Sequence, residues 1–573
     1  MKKLILYFTA CLMVVTGISC SDQLRIDERQ TSFDVNYFTY SRYQLTTAIV
    51  DVAKNYGSAA KDAPKGQCAL YFMDCYSGDQ VAGFYTKTVQ NWDMQGMDPY
   101  VSSLRTLAAV KELATNEGNT ANVAAAEVLT CIVGAYLTEK YGDIPFSEAV
   151  QGRSGDIFPK FDSQKEIYEY MFGLLDNAVK ILSDPNSQGL PSNHDVLFAG
   201  DKTKWVKFAN SLKFRLMAHS YNAFKAAGKD LAPEMQKIAS GSYMSATTDN
   251  ASLAFSGLNE GESWYLQTKW GTGNDYSEQK PTKYLIDQMV AIDDPRMYVI
   301  FKPVLTPISS KPVKTNEDIK INGFTYRVTY DPVSGINPND LNVAGRDLNG
   351  NIINVPYILD SKWFGTPTPL TVQLIYAGSN LTGGNSFYDN RRLTGFSALI
   401  AKPTDARLRA VMMESSEIMF LLAEARKNGW ISTGTVKDYY EQGIKLSFSR
   451  WQIVDGTKPA SHIGSDQIID NYNAYCAKDG VALDGTAADL DKIALQKWLS
   501  FLITNQTEAF TDFNRTGKPA FIGKIAASFS SYSYPYRYTY PLDESSNNKE
   551  NYTSAVTALG GKDLPSAKMW IQK

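Results

Sequence analysis

Four tryptophans fall in stretches that lack helical periodicity. They are Trp92, Trp264, Trp270 and Trp363, and they lie beside Tyr85, Tyr265, Tyr276 and Tyr357. Indole and phenol rings on loops are the side chains against which the C–H faces of sugar rings stack, while nearby Asn, Asp and Arg bind hydroxyls. The plainer reading is that each ring staples a long loop to the scaffold. For any single residue that reading carries more weight; for the group, at least one ring is expected in a ligand site. The candidate ligand-binding set is Tyr85, Trp92, Trp264, Tyr265, Trp270 and Trp363.

Other chemistries find no support in the motifs. The chain has no H-E-x-x-H, no P-loop and no Rossmann fingerprint. Gly271-Thr272-Gly273 lacks a third glycine, and Gly395-Phe396-Ser397-Ala398-Leu399 lacks the second glycine of a nucleophile elbow. Only His194, His219 and His462 exist to help the cysteines bind metal, and no cysteine pair has zinc-ligand spacing. Asp347-Leu348-Asn349-Gly350-Asn351 reads as a turn rather than a calcium loop. No catalytic residues, no metal and no cofactor are expected. Net charge is −3 with no run of Lys and Arg, so nucleic acid is not an expected partner.

The N-terminus is basic at Lys2 and Lys3, apolar from Leu4 to Ile18, and closes on Ser19-Cys20. That is the pattern of a secretory signal. Thr16-Gly17-Ile18-Ser19-Cys20 resembles a bacterial lipobox, which makes Cys20 the lipidated first residue of the mature chain. The apolar run is too short to span a bilayer, and no later segment reads as a span. Of the remaining cysteines, Cys68 and Cys75 could pair in an oxidising compartment.

The elements that must position the aromatic loops are helices. The chain of 573 residues, 44% hydrophobic, has ample apolar content for a large core. Helical periodicity is read over 36–56, 99–115, 122–141, 163–182, 203–227, 282–292, 413–428, 435–451 and 489–505. Short strands are expected at 324–330 and 370–375. In Thr203–Tyr221, Trp205, Phe208, Ala209, Leu212, Leu216 and His219 share one face, with Lys204, Lys207 and Lys213 free to stay solvated. Asn210, Ser211 and Arg215 sit in its middle and are expected to tie the helix to neighbouring backbone. Helices come as antiparallel pairs at both ends of the chain, resembling tetratricopeptide units, although no 34-residue repeat aligns.

Five segments in order carry a family resemblance. They are the lipobox at Cys20, YGDIPFSEA at 141–149, WVKFANSLKFRLMAH at 205–219, IDQMVAIDDPR at 286–296 and QKWLSFLITNQTEAFTDFNRTGKP at 496–519. ESSEIMFLLAEA at 414–425 also fits, as does Tyr540-Pro541 with Glu544 and a closing Trp570. On these the chain resembles the SusD/RagB family of nutrient-binding outer-membrane lipoproteins, nearest its second SusD-like subfamily.

The resemblance implies a mainly α, SusD-like fold of tetratricopeptide-type helix pairs, with a loop-rich region and a few short strands packed on them. The expected organisation is a signal peptide over 1–19, a lipidated tether over 20–35 and a single domain over 36–573. Within that domain a helical scaffold (36–228 and 410–515) carries a loop-rich insertion (229–409) and an extended tail (516–573). The resemblance further implies a lipid-anchored, surface-exposed outer-membrane protein that binds an oligosaccharide, or a peptide, and hands it to a SusC-like TonB-dependent transporter. Glu424, Asn514 and Arg515 would hold the fold rather than touch ligand. The alternatives are a surface glycoside hydrolase, which needs a carboxylate pair flanking the bond it cleaves, and a helical scaffold with no small-molecule site.

Overall fold

The computed structural model describes residues 40–56, 73–75, 92, 98–151, 155, 157–258, 279–322, 324–332, 342–346, 352–356, 358–363, 375–376, 394–397, 405, 407–456, 469–503, 505–522 and 536–573. The expected signal, lipidated Cys20 and tether lie outside these residues, as do Cys68 and the side chain of Cys75. Cys131 and Cys476 are buried and not joined in a disulfide.

Helices of the first half pack in sequence: α1 (Ser41–Tyr56), α2 (Arg105–Asn116), α3 (Thr120–Tyr141), α4 (Gln164–Ser183) and α5 (Lys202–Ala226). Their starts follow capping chemistry. Ser163 and Glu166 form a capping box on α4, and Asp201 accepts from the backbone of Thr203 and Lys204 to open α5. α3 is long and apolar enough to cross a membrane, contrary to the reading that no later segment is; most of it is buried among its neighbours instead.

YGDIPFSEA is the corner between α3 and α4. Gly142 takes φ +88 to end α3, its N–H donating to the Thr138 carbonyl at 2.8 Å. Asp143 accepts from the Gln164 N–H at 2.8 Å, at the start of α4. Ile144-Pro145 pairs with Phe161-Asp162, and Asp162 accepts from the Ser147 N–H and hydroxyl at 2.6 and 2.8 Å. Phe146 lies so close to Gly134 that a Cβ there would meet its ring at 2.5 Å, which is why α3 needs glycine at this crossing.

After α5 comes a further helix within the stretch read as loop-rich, α6 (Ala232–Ala239). Then β1 (Ala251–Ala254) leads away, and β4 (Arg409–Met413) returns antiparallel to it, pairing Ala410 with Leu253. This ladder closes the neck of the insertion. Between them lie α7 (Lys283–Ala291), α8 (Pro295–Ile300) and a hairpin of β2 (Thr315–Ile321) and β3 (Phe324–Pro332). Val328 and Ile319 alternate inward on the hairpin while Arg327 and Asp318 face solvent.

The second half returns to helix pairs: α9 (Ser415–Lys427) against α10 (Val436–Arg450), then α11 (Tyr472–Cys476), α12 (Asp489–Ser500) and α13 (Gln506–Thr516). α9 packs directly on α5, so one helical scaffold joins both halves of the chain. The fold is mainly α, as the sequence predicts. Besides α6, α8 and α11, further elements depart from the expected set of helices. Residues 506–516 form a helix, α13, that the periodicity does not show. The tail, expected to be extended, carries α14 (Glu544–Asn547) and α15 (Lys549–Ala558).

Candidate functional site

Of the six aromatic candidates, Tyr85, Trp264, Tyr265 and Trp270 lie outside the described residues. Trp92 belongs to the core and is a correction. It is 7% exposed, its Nε1 donates to Glu544 Oε1 at 2.7 Å, and its ring meets Tyr100, Tyr141 and Phe161. A ring enclosed by three others offers no face to a ligand; it ties the tail to the α3 corner. Trp363 is partly buried, standing edge-on to Tyr298 of α8 at 5.5 Å, and so anchors its loop while leaving part of its surface open. A cavity of about 510 Å³ between α4, α5 and α6 has none of the six in its lining.

The motif residues meet one another instead. Arg215 of α5 forms two bonds with Glu417 of α9, one of 2.6 Å from Nη2, and also donates to the Met412 carbonyl at 3.2 Å. One turn on, His219 holds Glu139 of α3 at 2.7 Å through Nδ1 and Glu508 of α13 at 2.8 Å through Nε2. Glu139 also accepts from the Tyr168 hydroxyl at 2.8 Å. Burial pulls the His219 imidazole down, but Glu508 and Glu139 outweigh it and lift its pKa to about 10. Burial and Glu508 push Glu417 up to about 7 against the pull of Arg215, whereas His219 and Arg215 overcome burial to hold Glu508 down at about 2.

Glu139, His219 and Glu508 are residue types that bind metals and stand within reach of one another. Both ring nitrogens are already engaged by carboxylates, Glu139 at Nδ1 and Glu508 at Nε2, and the protonated ring this pairing favours has no lone pair to give a metal.

A second buried set lies on the same face of α9. Lys497 of α12 binds Glu424 and Asp512, each at 2.9 Å, and Arg515 of α13 chelates Glu424 at 2.6 and 2.7 Å. These two cations outweigh burial and hold Glu424 well below the usual carboxylate range. A third set stands on α8: Arg296, fully enclosed, binds Asp294, Ser447 and Gln496, while Tyr475 donates to Asp294 at 2.7 Å. Buried charges this well partnered fix which helices meet, because removing one partner leaves the other stranded.

Asn210 and Ser211 behave as the sequence predicts, bonding the Ser242 carbonyl and the Met244 N–H. Arg215 differs in that its main partner is a buried carboxylate rather than backbone. Lys213 and Lys207 are not free: they pair with Asp176 and Asp249. Glu424 and Arg515 bind each other, and Asn514 donates to the Tyr536 carbonyl, so all three hold the fold.

Helix pairs locked by buried charge, with an insertion joined through a two-stranded neck, define a helical scaffold of the tetratricopeptide-paired class. Residues 36–353 match the SusD-like model described as "Starch-binding associating with outer membrane", and residues 381–572 match the model described as "Susd and RagB outer membrane lipoprotein". The chain belongs to this SusD-like family of outer-membrane proteins. No curated protein matches it. Solved structures share the fold at low identity. A SusD homologue from Bacteroides fragilis is 20% identical over 93% of this chain and 100% of its own, with TM-score 0.68. One from Bacteroides ovatus is 20% identical over 93% and 99%, with TM-score 0.62. A chitin-binding SusD homologue from Flavobacterium johnsoniae is 18% identical over 92% and 98%, with TM-score 0.62.

Proposed function

We propose that this protein is a surface-exposed lipoprotein, anchored through Cys20, that captures an oligosaccharide and delivers it to a SusC-like TonB-dependent transporter. It acts by binding and not by catalysis. The observation that carries this reading is the match of residues 36–353 to a family model described as starch-binding and outer-membrane-associated. The chitin-binding relative of the same fold makes a polysaccharide fragment the ligand class to test first. The ligand face is assigned to the loop-rich insertion. There Trp363 keeps part of its ring surface outside the core, and Trp264, Tyr265 and Trp270, with Tyr85 from the earlier loop, are the further stacking platforms proposed.

The chemistry of the scaffold supports that division. The buried carboxylates of Glu139, Glu417, Glu424 and Glu508 are already committed to Arg, Lys or His, so they cannot serve a ligand without unlocking helices. Capture then requires loops that close over a sugar while the helix pairs stay fixed. Calorimetric titration of the full-length protein with chitin- and starch-derived oligosaccharides, with each mixture analysed for cleavage products, tests this. The expected outcome is binding of one oligosaccharide class with substrate recovered intact. Accumulating cleavage products would replace the reading with a hydrolase, and failure of the purified native protein to bring down an outer-membrane barrel would remove the delivery step.

A further inference from the structure

A patch of exposed rings stands where α1 begins. Tyr40 is 49% and Tyr43 42% exposed. Their rings lie 6.3 Å apart, edge to face, and Tyr43 meets His194, on the loop between α4 and α5, at 4.9 Å. Val196, two positions further along that loop, is exposed as well. The Arg42 guanidinium lies over the Tyr40 ring at 4.5 Å and over the Tyr43 ring at 4.9 Å.

The scaffold holds these groups in place. Thr46 of α1 donates to the His194 carbonyl at 2.7 Å, which fastens the loop to the helix. Asp195 accepts from the N–H groups of Leu197, Phe198 and Gly200 and from Trp205 Nε1, so the loop is shaped from its buried side. The Glu117 carboxylate, which attracts Arg42, already accepts from the Ser41 N–H at 2.6 Å and from the Ser41 hydroxyl. Arg42 forms no ion pair among the described residues. Its guanidinium, with five N–H donors, keeps some for an acceptor outside the chain.

The chain that precedes the patch decides what faces it. Twenty positions separate Cys20 from Tyr40, and that many residues span at most about 70 Å even when fully extended. A membrane holding lipid on Cys20 is therefore always within reach of Tyr40. Contact between the two is intramolecular, so it forms at an intrinsic affinity too weak to hold a free molecule. The side chains suit that surface. Tyr settles at headgroup depth, with its ring toward the acyl chains and its hydroxyl in water, and a guanidinium pairs with phosphate.

We propose that this patch seats the domain on the lipid headgroups of the membrane that carries it, with Tyr40 and Tyr43 at the interface and Arg42 on headgroup phosphate. The seat rests on the Cys20 anchor proposed above and adds an orientation. Ser41 accepts from Asn122 at the start of α3, so the patch lies at that end of the scaffold. The α3–α4 corner, one 22-residue helix away, is held off the membrane.

Hydroxyl-radical footprinting of the mature, lipidated protein tests this. It is read in vesicles of phosphatidylethanolamine and phosphatidylglycerol and again in neutral detergent. Phe158, beyond the α3–α4 corner and 59% exposed, is the reference. Oxidation of Tyr40 and Tyr43 is expected to fall at least about threefold in vesicles, with Phe158 unchanged. Arg42→Glu, an exposed change, is expected to abolish most of that protection while the protein still floats with the vesicles. Equal oxidation of the tyrosines in both settings overturns the proposal. If it is fast, the patch is bare; if slow, residues 21–39 or a second copy cover it. Protection of Phe158 as strong as theirs overturns the orientation, and full protection in Arg42→Glu overturns the phosphate contact. Flotation separates the two readings. A parent protein that does not float refutes the anchor and takes the seat with it; one that floats with Tyr40 and Tyr43 unprotected keeps the anchor and refutes the seat.

Discussion

The scaffold and the insertion spend their charged residues differently. In the scaffold, buried ion pairs join distant parts of the chain: Arg215 and Glu417 stand 202 positions apart, Lys497 and Glu424 stand 73 apart. Around the hairpin of the insertion, pairs are exposed and more local, whereas Arg296 and Asp294 at the start of α8 form a buried one. Arg327 and Asp318 are 9 apart across one hairpin, with side chains 65% and 51% exposed, and Lys362 and Glu317 are 45 apart. Water screens the second kind to little net value, while the first kind makes wrong helix pairings costly. The difference teaches where variation is tolerated. Exposed hairpins and loops can change sequence at small cost, whereas a buried network must change all its members together.

The comparison breaks most directly at Arg215. Arg215→Met leaves Glu417 and Glu508 buried with one fewer cation, and about 3–5 kcal/mol of stability should be lost, read by denaturant unfolding. A loss no larger than an exposed pair gives, about 0–1 kcal/mol, would erase the distinction between the regions.

Next in size is the pH dependence set by His219. Its folded pKa is raised, from 6.5 to about 10, so its protonated form is favoured by the fold. That contribution is fully present below pH 6.5 and is lost as pH rises through about 10, and the full shift corresponds to a few kcal/mol, on the order of 1.4 per pH unit. Glu417, also raised to about 7, acts in the same direction: the fold holds its proton more tightly than the unfolded chain does between pH 4.5 and 7. Melting temperature should therefore fall from neutral to alkaline pH, and His219→Gln should flatten the alkaline part of that fall.

Much of the scaffold was legible from the sequence because helical periodicity is local. The observed bounds of α3, α4 and α5 lie within two residues of the predicted ones. The pairing of charges was not legible, since nothing in the spacing of Arg215 and His219 names Glu417, Glu139 or Glu508 as partners. α13 was hidden because its apolar positions, Ala509, Phe510 and Phe513, are interleaved with buried polar ones, Glu508, Thr511 and Asp512. Trp92 misled for a related reason. Its sequence neighbours are those of a loop, but its ring is enclosed by Tyr100, Tyr141 and Phe161 and capped by Glu544, 452 positions away.

Two tryptophans of the original set now stand on opposite sides of the division, and they give its sharpest test. Trp363→Ala and Trp92→Phe, each made in the full-length protein, would be compared with the parent by calorimetric titration with the oligosaccharide it binds and by thermal unfolding. The account predicts that Trp363→Ala weakens binding. It predicts that Trp92→Phe, which loses the bond to Glu544, lowers the melting temperature by an amount corresponding to about 1–3 kcal/mol and leaves affinity unchanged. Loss of affinity in Trp92→Phe together with full affinity in Trp363→Ala would contradict it and move the ligand face to the scaffold corner.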